Sequence, residues 1–187
     1  MTIMLFGISN VGKSTTAELL ASELNYTFYD IDEETKKRLE TTLEDFVNTG
    51  TVYQRDAYRG ELIEEILCED EGNKVIAVTP MSYSTFFNYF LKRKDILAIE
   101  LQDSPKNIFD RLIFSDENDV IYKDDDYKNQ HKEEFLEEIR KDIEHYAKSF
   151  IHIKNKFNIN NDPPEIVVRR IMDTYKLNSA QHYNTNH

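Results

Sequence analysis

The sequence predicts an α/β fold of three layers, α/β/α, in which a five-stranded parallel sheet is covered by helices on both faces. Three observations carry that expectation. Short apolar runs alternate with longer amphipathic stretches, a glycine-bearing G-x-x-x-x-G-K-S segment separates the first strand from the first helix, and no internal repeat is present.

Strands are expected at 3–6, 26–29, 74–78, 96–101 and 156–159, each carrying β-branched or aromatic residues between polar or turn residues. Helices are expected between them, at 12–24, 32–49, 53–68, 83–92, 105–114 and 131–150. In the first, Ala17, Leu20, Ala21 and Leu24 recur at helical spacing. In the longest, Phe135, Leu136, Ile139, Ile143, Tyr146, Ala147 and Phe150 form one stripe. A last helix opens with Asp162 as N-cap, has proline in its first turn, and runs to about Tyr175. The acidic stretch DENDVIYKDDDYKNQ, 116–130, reads as a mobile loop or lid of about 115–130.

The chain has 187 residues, 40% of them hydrophobic, which suits one domain over 1–177 with a polar, disordered tail at 178–187. Its 23 basic residues against 35 acidic ones leave a net charge of −12, which argues against a nucleic-acid partner. A single cysteine, Cys68, excludes an intrachain disulfide and a multi-cysteine metal cluster, fits a reducing cytoplasm, and is expected to be packed. The apolar opening 1–6 reads as a buried strand and not as a signal peptide. No apolar run reaches the roughly 18–20 residues that cross a bilayer, so no membrane partner is expected. The five histidines show no metal-ligand spacing.

The segment GISNVGKS, 7–14, carries the most specific chemistry. Its glycines let the backbone wrap closely, so that successive N–H groups point at phosphate oxygens. Lys13 reaches the terminal phosphates, Ser14 ligates Mg2+, and the following helix aims its positive end at the same place. The nucleotide-facing residues are then Gly7, Ile8, Ser9, Asn10, Val11, Gly12, Lys13, Ser14 and Thr15.

A second feature is FYDIDEE, 28–34, at the end of the second strand. Asp30 and Asp32 are two apart and project to one side at the ligand-bearing edge of the sheet, fit to support a metal and to accept a hydroxyl proton. The competing reading makes Asp32 the N-cap of the next helix. Arg55 and Arg59, at i and i+4, share a helix face and form either an anion clamp or a surface salt-bridged with Asp56 and Glu61. Arg140 flanks the apolar stripe of its helix, where it either enters a cleft or snorkels.

The order of these features, from about 3 to 172, resembles the shikimate kinases among the P-loop small-molecule kinases. The resemblance lies in GISNVGKS, in Asp30 and Asp32, in Tyr58-Arg59 where the family has Phe-Arg, and in the closing NDPPEIVVRRI. It implies a P-loop kinase fold with strand order 2-3-1-4-5 and a moving lid, and a cytoplasmic monomer or weak homodimer. It further implies that ATP and Mg2+ meet Lys13 and Ser14, with Asp30 supporting the metal. Lys13 and Asp32 would be catalytic, Asp32 facing the acceptor hydroxyl, and Arg59 and Arg140 would bind the acceptor carboxylate. Three departures stand beside the match. After the third strand the chain reads VTPMS, 78–82, where the family has glycines, so Pro80 offers no N–H and Met81 adds bulk. No arginine occurs between Leu112 and Ile139, leaving Lys123 or Lys128 as lid cations, and the Gly-Glu ahead of Tyr58-Arg59 is missing. Two alternatives therefore stay open: a kinase for a nucleotide, sugar acid or other small acceptor, and a nucleotide-binding regulatory protein without transfer.

Overall fold

The computed structural model describes residues 1–69, 71–116 and 118–177, so the tail expected at 178–187 lies outside the described residues. Its centre is a parallel sheet of order β2-β3-β1-β4-β7, built from β1 (Thr2–Phe6), β2 (Thr27–Asp30), β3 (Lys74–Ala77), β4 (Ile96–Gln102) and β7 (Asn155–Asn158). These are the five expected strands in the expected order, each shifted by no more than a residue or so.

The side-chain alternation of β1 explains why the sheet is covered twice. Ile3 and Leu5 face one cluster, with Ala17, Leu20 and Leu24 of α1 (Lys13–Leu24) and Val167, Val168 and Ile171 of α8 (Pro164–Tyr175). Met4 and Phe6 face the other, with Leu62, Ile63 and Ile66 of α4 (Val52–Glu69) and with Phe87, Phe90 and Phe150. All four β1 side chains are fully buried, and each contributes about 1.5–3 kcal/mol relative to exposure. That central strand holds the phosphate loop rigidly at its C-terminal end.

Several helices differ from expectation, each for a local reason. The stretch 32–49 divides into α2 (Ile31–Leu39) and α3 (Leu43–Asn48), because Glu40 turns left-handed at φ 50° and Thr42 caps a new start by accepting from Asp45 N. Residues 83–92 form two 3-10 turns, Ser84–Phe86 and Phe90–Lys92, and no α-helix. There Phe87 and Phe90 enter the core while Tyr53 packs edge-on against Tyr83 and Phe86, so aromatic burial overrides helical spacing. Asp162 does not cap α8: Pro163 occupies that position, and Asp162 pairs with Arg170 at 2.5 Å. Cys68 is exposed, not packed, because α4 turns Leu62, Ile63 and Ile66 inward instead.

The described residues of the segment expected to be a loop or lid at 116–130 carry secondary structure. Helix α5 (Pro105–Asp110) ends early, and β5 (Phe114–Ser115) pairs antiparallel with β6 (Ile121–Tyr122) before α6 (Asp125–Gln130) and the long α7 (Lys132–Ser149). The acids there act as turn and cap residues: Asp116 accepts from Asn118 N and Val120 N, and Asp124 accepts from Tyr127 N. The hairpin is tied to the start of α3, where Asp119 accepts from Leu43 N at 3.0 Å. Among the described residues no helix is long and apolar enough to cross a membrane.

Candidate active site

Parallel strands deliver their C-terminal ends to one edge, and the predicted residues gather there. A cleft of about 150 Å3 is lined by Ser9, Asn10, Lys13, Ser14, Asp30, Asp32, Ala77, Thr79 and Pro80. The loop 7–12 leaves β1 with Gly7 at φ 145°, Asn10 at 59° and Gly12 at 103°. A Cβ on Gly7 would sit 2.7 Å from the Leu101 carbonyl oxygen and 2.9 Å from Val11 Cγ1, so only glycine fits. Gly7→Ala is expected to cost about 3 kcal/mol and to appear as a large fall in Tm; a Tm equal to that of the parent would contradict the tight turn.

Helix α1 starts directly after Gly12, and no side chain caps its first turn. Its free N–H groups and positive end therefore face the cleft, an arrangement suited to an anion. Lys13 folds back to donate to the Ile8 carbonyl at 2.8 Å. Burial lowers its pKa to about 8, against the opposing pull of Asp32 and Asp30. Ser14 Oγ donates to Asp30 Oδ2 at 2.6 Å, which brings a hydroxyl and a carboxylate together beside the loop. Among the described residues no group of three or more His, Cys, Asp or Glu could hold a metal ion.

The two carboxylates divide their work differently from expectation. Asp30, not Asp32, caps α2, its Oδ1 accepting from Asp32 N at 2.9 Å and Glu33 N at 3.3 Å. Asp32 therefore stands in the first helical turn, and its side chain is free to meet Arg59, whose Nη2 donates to Oδ1 at 3.1 Å. Arg59 is 8% exposed, lies over the Phe46 ring at 5.1 Å, and leaves Nε buried without a partner. Arg55, its companion one turn away, serves α3 instead, donating to the Thr49 and Gly50 carbonyls.

Arg140, like Arg55, is not brought to the cleft. It is half-exposed and pairs with Glu137 on its own helix at 3.4 Å. The α7 residues turned toward the 79–83 segment are His145, whose Nε2 lies 2.9 Å from Ser82 Oγ, and Ser149, which donates to the Met81 carbonyl at 2.6 Å. Arg140 lies on the far side of the helix from these, because helical phase separates it from Ser149. Arg140→Ala is thus expected to leave turnover within about twofold, as exposed ion pairs contribute little; a tenfold rise in acceptor KM would return it to the site.

The departure at 78–82 is milder than its sequence suggests. The Met81 side chain is fully buried among Phe6, Phe87 and Phe90 and adds no bulk to the cleft, whereas Pro80 does line it. Of the candidate lid cations, Lys128 is occupied, donating to the Asp110 and Leu112 carbonyls. Two residues were not singled out by motif reading. Arg111 joins Asp103 at 2.7 Å and Asn161 at 3.1 Å across the ends of β4 and β7, and Asp56 is a buried carboxylate beside Arg59. The only signal for Asp56 in the sequence was its i, i+3 spacing to that arginine.

The family model for shikimate kinase matches residues 9–176. The shikimate kinase of Aquifex aeolicus is 30% identical over 180 residues, covering 92% of this chain and 94% of the relative. The crystal structure of shikimate kinase from that organism superposes with a TM-score of 0.63 at 27% identity, covering 94% of this chain and 96% of that one. The shikimate kinase structure from Bacteroides thetaiotaomicron, at 21% identity, shares the fold with a TM-score of 0.75 over 95% of this chain and 99% of its own. With a phosphate loop, a strand order and a match that spans nearly all the described residues, the chain belongs to the shikimate kinase family.

Proposed function

We propose that this chain transfers the γ-phosphoryl group of ATP to a hydroxyl of shikimate, with Lys13 and Asp32 at the reacting centre. The observation that carries the reading is one cleft holding Lys13, Ser14, Asp30 and Asp32, with Arg59 bonded to Asp32 at its acceptor side. The backbone of 7–15 wraps the nucleotide phosphates, and the uncapped start of α1 faces them. Lys13 leaves the Ile8 carbonyl to neutralise charge developing on the transferred group.

Ser14 Oγ and Asp30 Oδ2, 2.6 Å apart, are hard oxygen donors of the kind that suits Mg2+, and they would hold an ion arriving with the nucleotide. Such an ion would supply charge neutralisation to the nucleotide phosphates. Asp32 orients the acceptor hydroxyl and takes its proton as the oxygen attacks in line. Arg59 holds the acceptor carboxylate with its guanidinium fork, which sits beside Asp32 at the acceptor side of the cleft. The work is that of a single kinase domain over 1–177 in the cytoplasm, monomeric or weakly dimeric. Its lid at about 115–130 closes to keep water from the γ-phosphate.

Arg59→Ala is expected to raise the shikimate KM at least about tenfold while leaving the ATP KM within about twofold. Equal KM values for shikimate in the variant and the parent would remove Arg59 from the acceptor site. A second reading keeps the fold and changes the acceptor. Pro80 favours it, because that cleft residue withholds the N–H its position would otherwise offer. A panel of nucleoside monophosphates and sugar acids beside shikimate separates the two.

A further inference from the structure

We propose that Asp56 is a positioning residue for the acceptor end, holding Arg59 from one side and the backbone of the 79–83 segment from the other. The proposal rests on the acceptor reading above. Asp56 is 2% exposed and has no part in the phosphate chemistry. Its Oδ2 accepts from Tyr83 N at 3.0 Å, the carboxylate also takes the Ser82 N–H, and Oδ1 lies 3.9 Å from Arg59 Nη1. A buried carboxylate is tolerated because two backbone N–H donors and the nearby guanidinium charge compensate it. Burial still pushes its pKa up, which the two N–H groups and Arg59 hold back.

The consequence concerns where the guanidinium points. Arg59 has two anionic neighbours, Asp32 at 3.1 Å and Asp56 at 3.9 Å. Remove the second and the guanidinium swings fully onto Asp32, engaging the oxygens that the acceptor hydroxyl needs. The same loss removes the hydrogen bonds that tie Ser82 and Tyr83 to α4. The segment that replaces the family's glycines then keeps only weaker ties among the described residues, the Tyr53–Tyr83 ring contact and the α7 bonds through Met81 and Ser82. One carboxylate thereby sets both walls of the acceptor pocket.

The test is steady-state kinetics with Mg-ATP and shikimate on Asp56→Asn, Asp56→Glu, and Asp56→Asn in an Arg59→Lys background, with Tm for each. Asp56→Asn is expected to raise the shikimate KM about tenfold and to leave the ATP KM within about twofold. Asp56→Glu keeps the charge and is expected to stay within about threefold of the parent. In the Arg59→Lys background Asp56→Asn should add less than about threefold, because no fork remains to be aimed. Three results overturn the role: an unchanged shikimate KM, a tenfold effect that persists in the Arg59→Lys background, or both KM values rising together with a fall in Tm. If Asp56→Asn does not fold, Asp56→Glu decides, and a tenfold rise there overturns the role. A parent protein with no shikimate-dependent ADP release overturns the acceptor reading itself, and the role with it.

Discussion

Replacing Lys13 with alanine is expected to lower kcat/KM for ATP by about 10³-fold or more while leaving the fold as stable as the parent at pH 7. On the proposed reading, the rate loss follows from removing the only cation among the described residues that line the cleft. The stability follows from the lysine's own electrostatics. Burial holds its pKa near 8, below its ordinary 10.5, so the folded protein disfavours the ammonium form that the unfolded chain carries freely. Between pH 8 and 10.5 the unfolded chain binds more protons, and this group makes stability rise with pH across that window. The alanine variant should lose that rise. Activity runs the other way: as pH rises through about 8 the free enzyme loses the charge that attracts phosphate, so kcat/KM for ATP falls. Bound phosphates keep Lys13 protonated, so kcat stays flat over the same range. Parallel profiles of kcat and kcat/KM would contradict this assignment.

Asp32→Asn is expected to lower kcat by about 10²–10⁴-fold with the ATP KM little changed. Asparagine keeps the shape of the side chain and still accepts from Arg59, but it takes no proton from the acceptor hydroxyl. The structure gives the substitution little else to disturb. Asp32 caps no helix, because Asp30 performs that task, and its side chain has solvent on one side, 30% exposed. Asp30→Asn is the natural comparison, since it loosens the start of α2 as well as the Ser14 contact. A kcat for Asp32→Asn within threefold of the parent would make Asp32 a partner of Arg59 and nothing more.

What was legible in the sequence was the part fixed by local physics. Alternation of apolar runs places the five strands, and the spacing of GISNVGKS allows one strand–turn–helix geometry, with Gly7 required by the Leu101 carbonyl against it. What was not legible depends on which way a tertiary neighbour faces. Arg140 flanks an apolar stripe, yet the flank that meets the 79–83 segment is the other one, carrying His145 and Ser149. Met81 reads as an obstacle in the chain and is a core residue in space, because the strand exit turns it toward Phe87 and Phe90. Asp56 reads as a surface ion-pair partner, while its burial is decided by the 3-10 turns that fold over α4. The acids of 116–130 read as part of a mobile loop or lid, and Asp116 and Asp124 also accept backbone N–H groups as turn and cap residues, a role that needs their backbone neighbours to be seen.

Phosphorylation of shikimate at the cleft of Lys13, Asp32 and Arg59 is measured as ADP release from Mg-ATP. Purified protein is assayed with and without shikimate, with Lys13→Ala as the background. ADP release is expected to depend on shikimate, to saturate with it, and to be absent from the Lys13→Ala variant. ATP binding without any stimulation by shikimate would contradict it and would leave the phosphate site serving another acceptor.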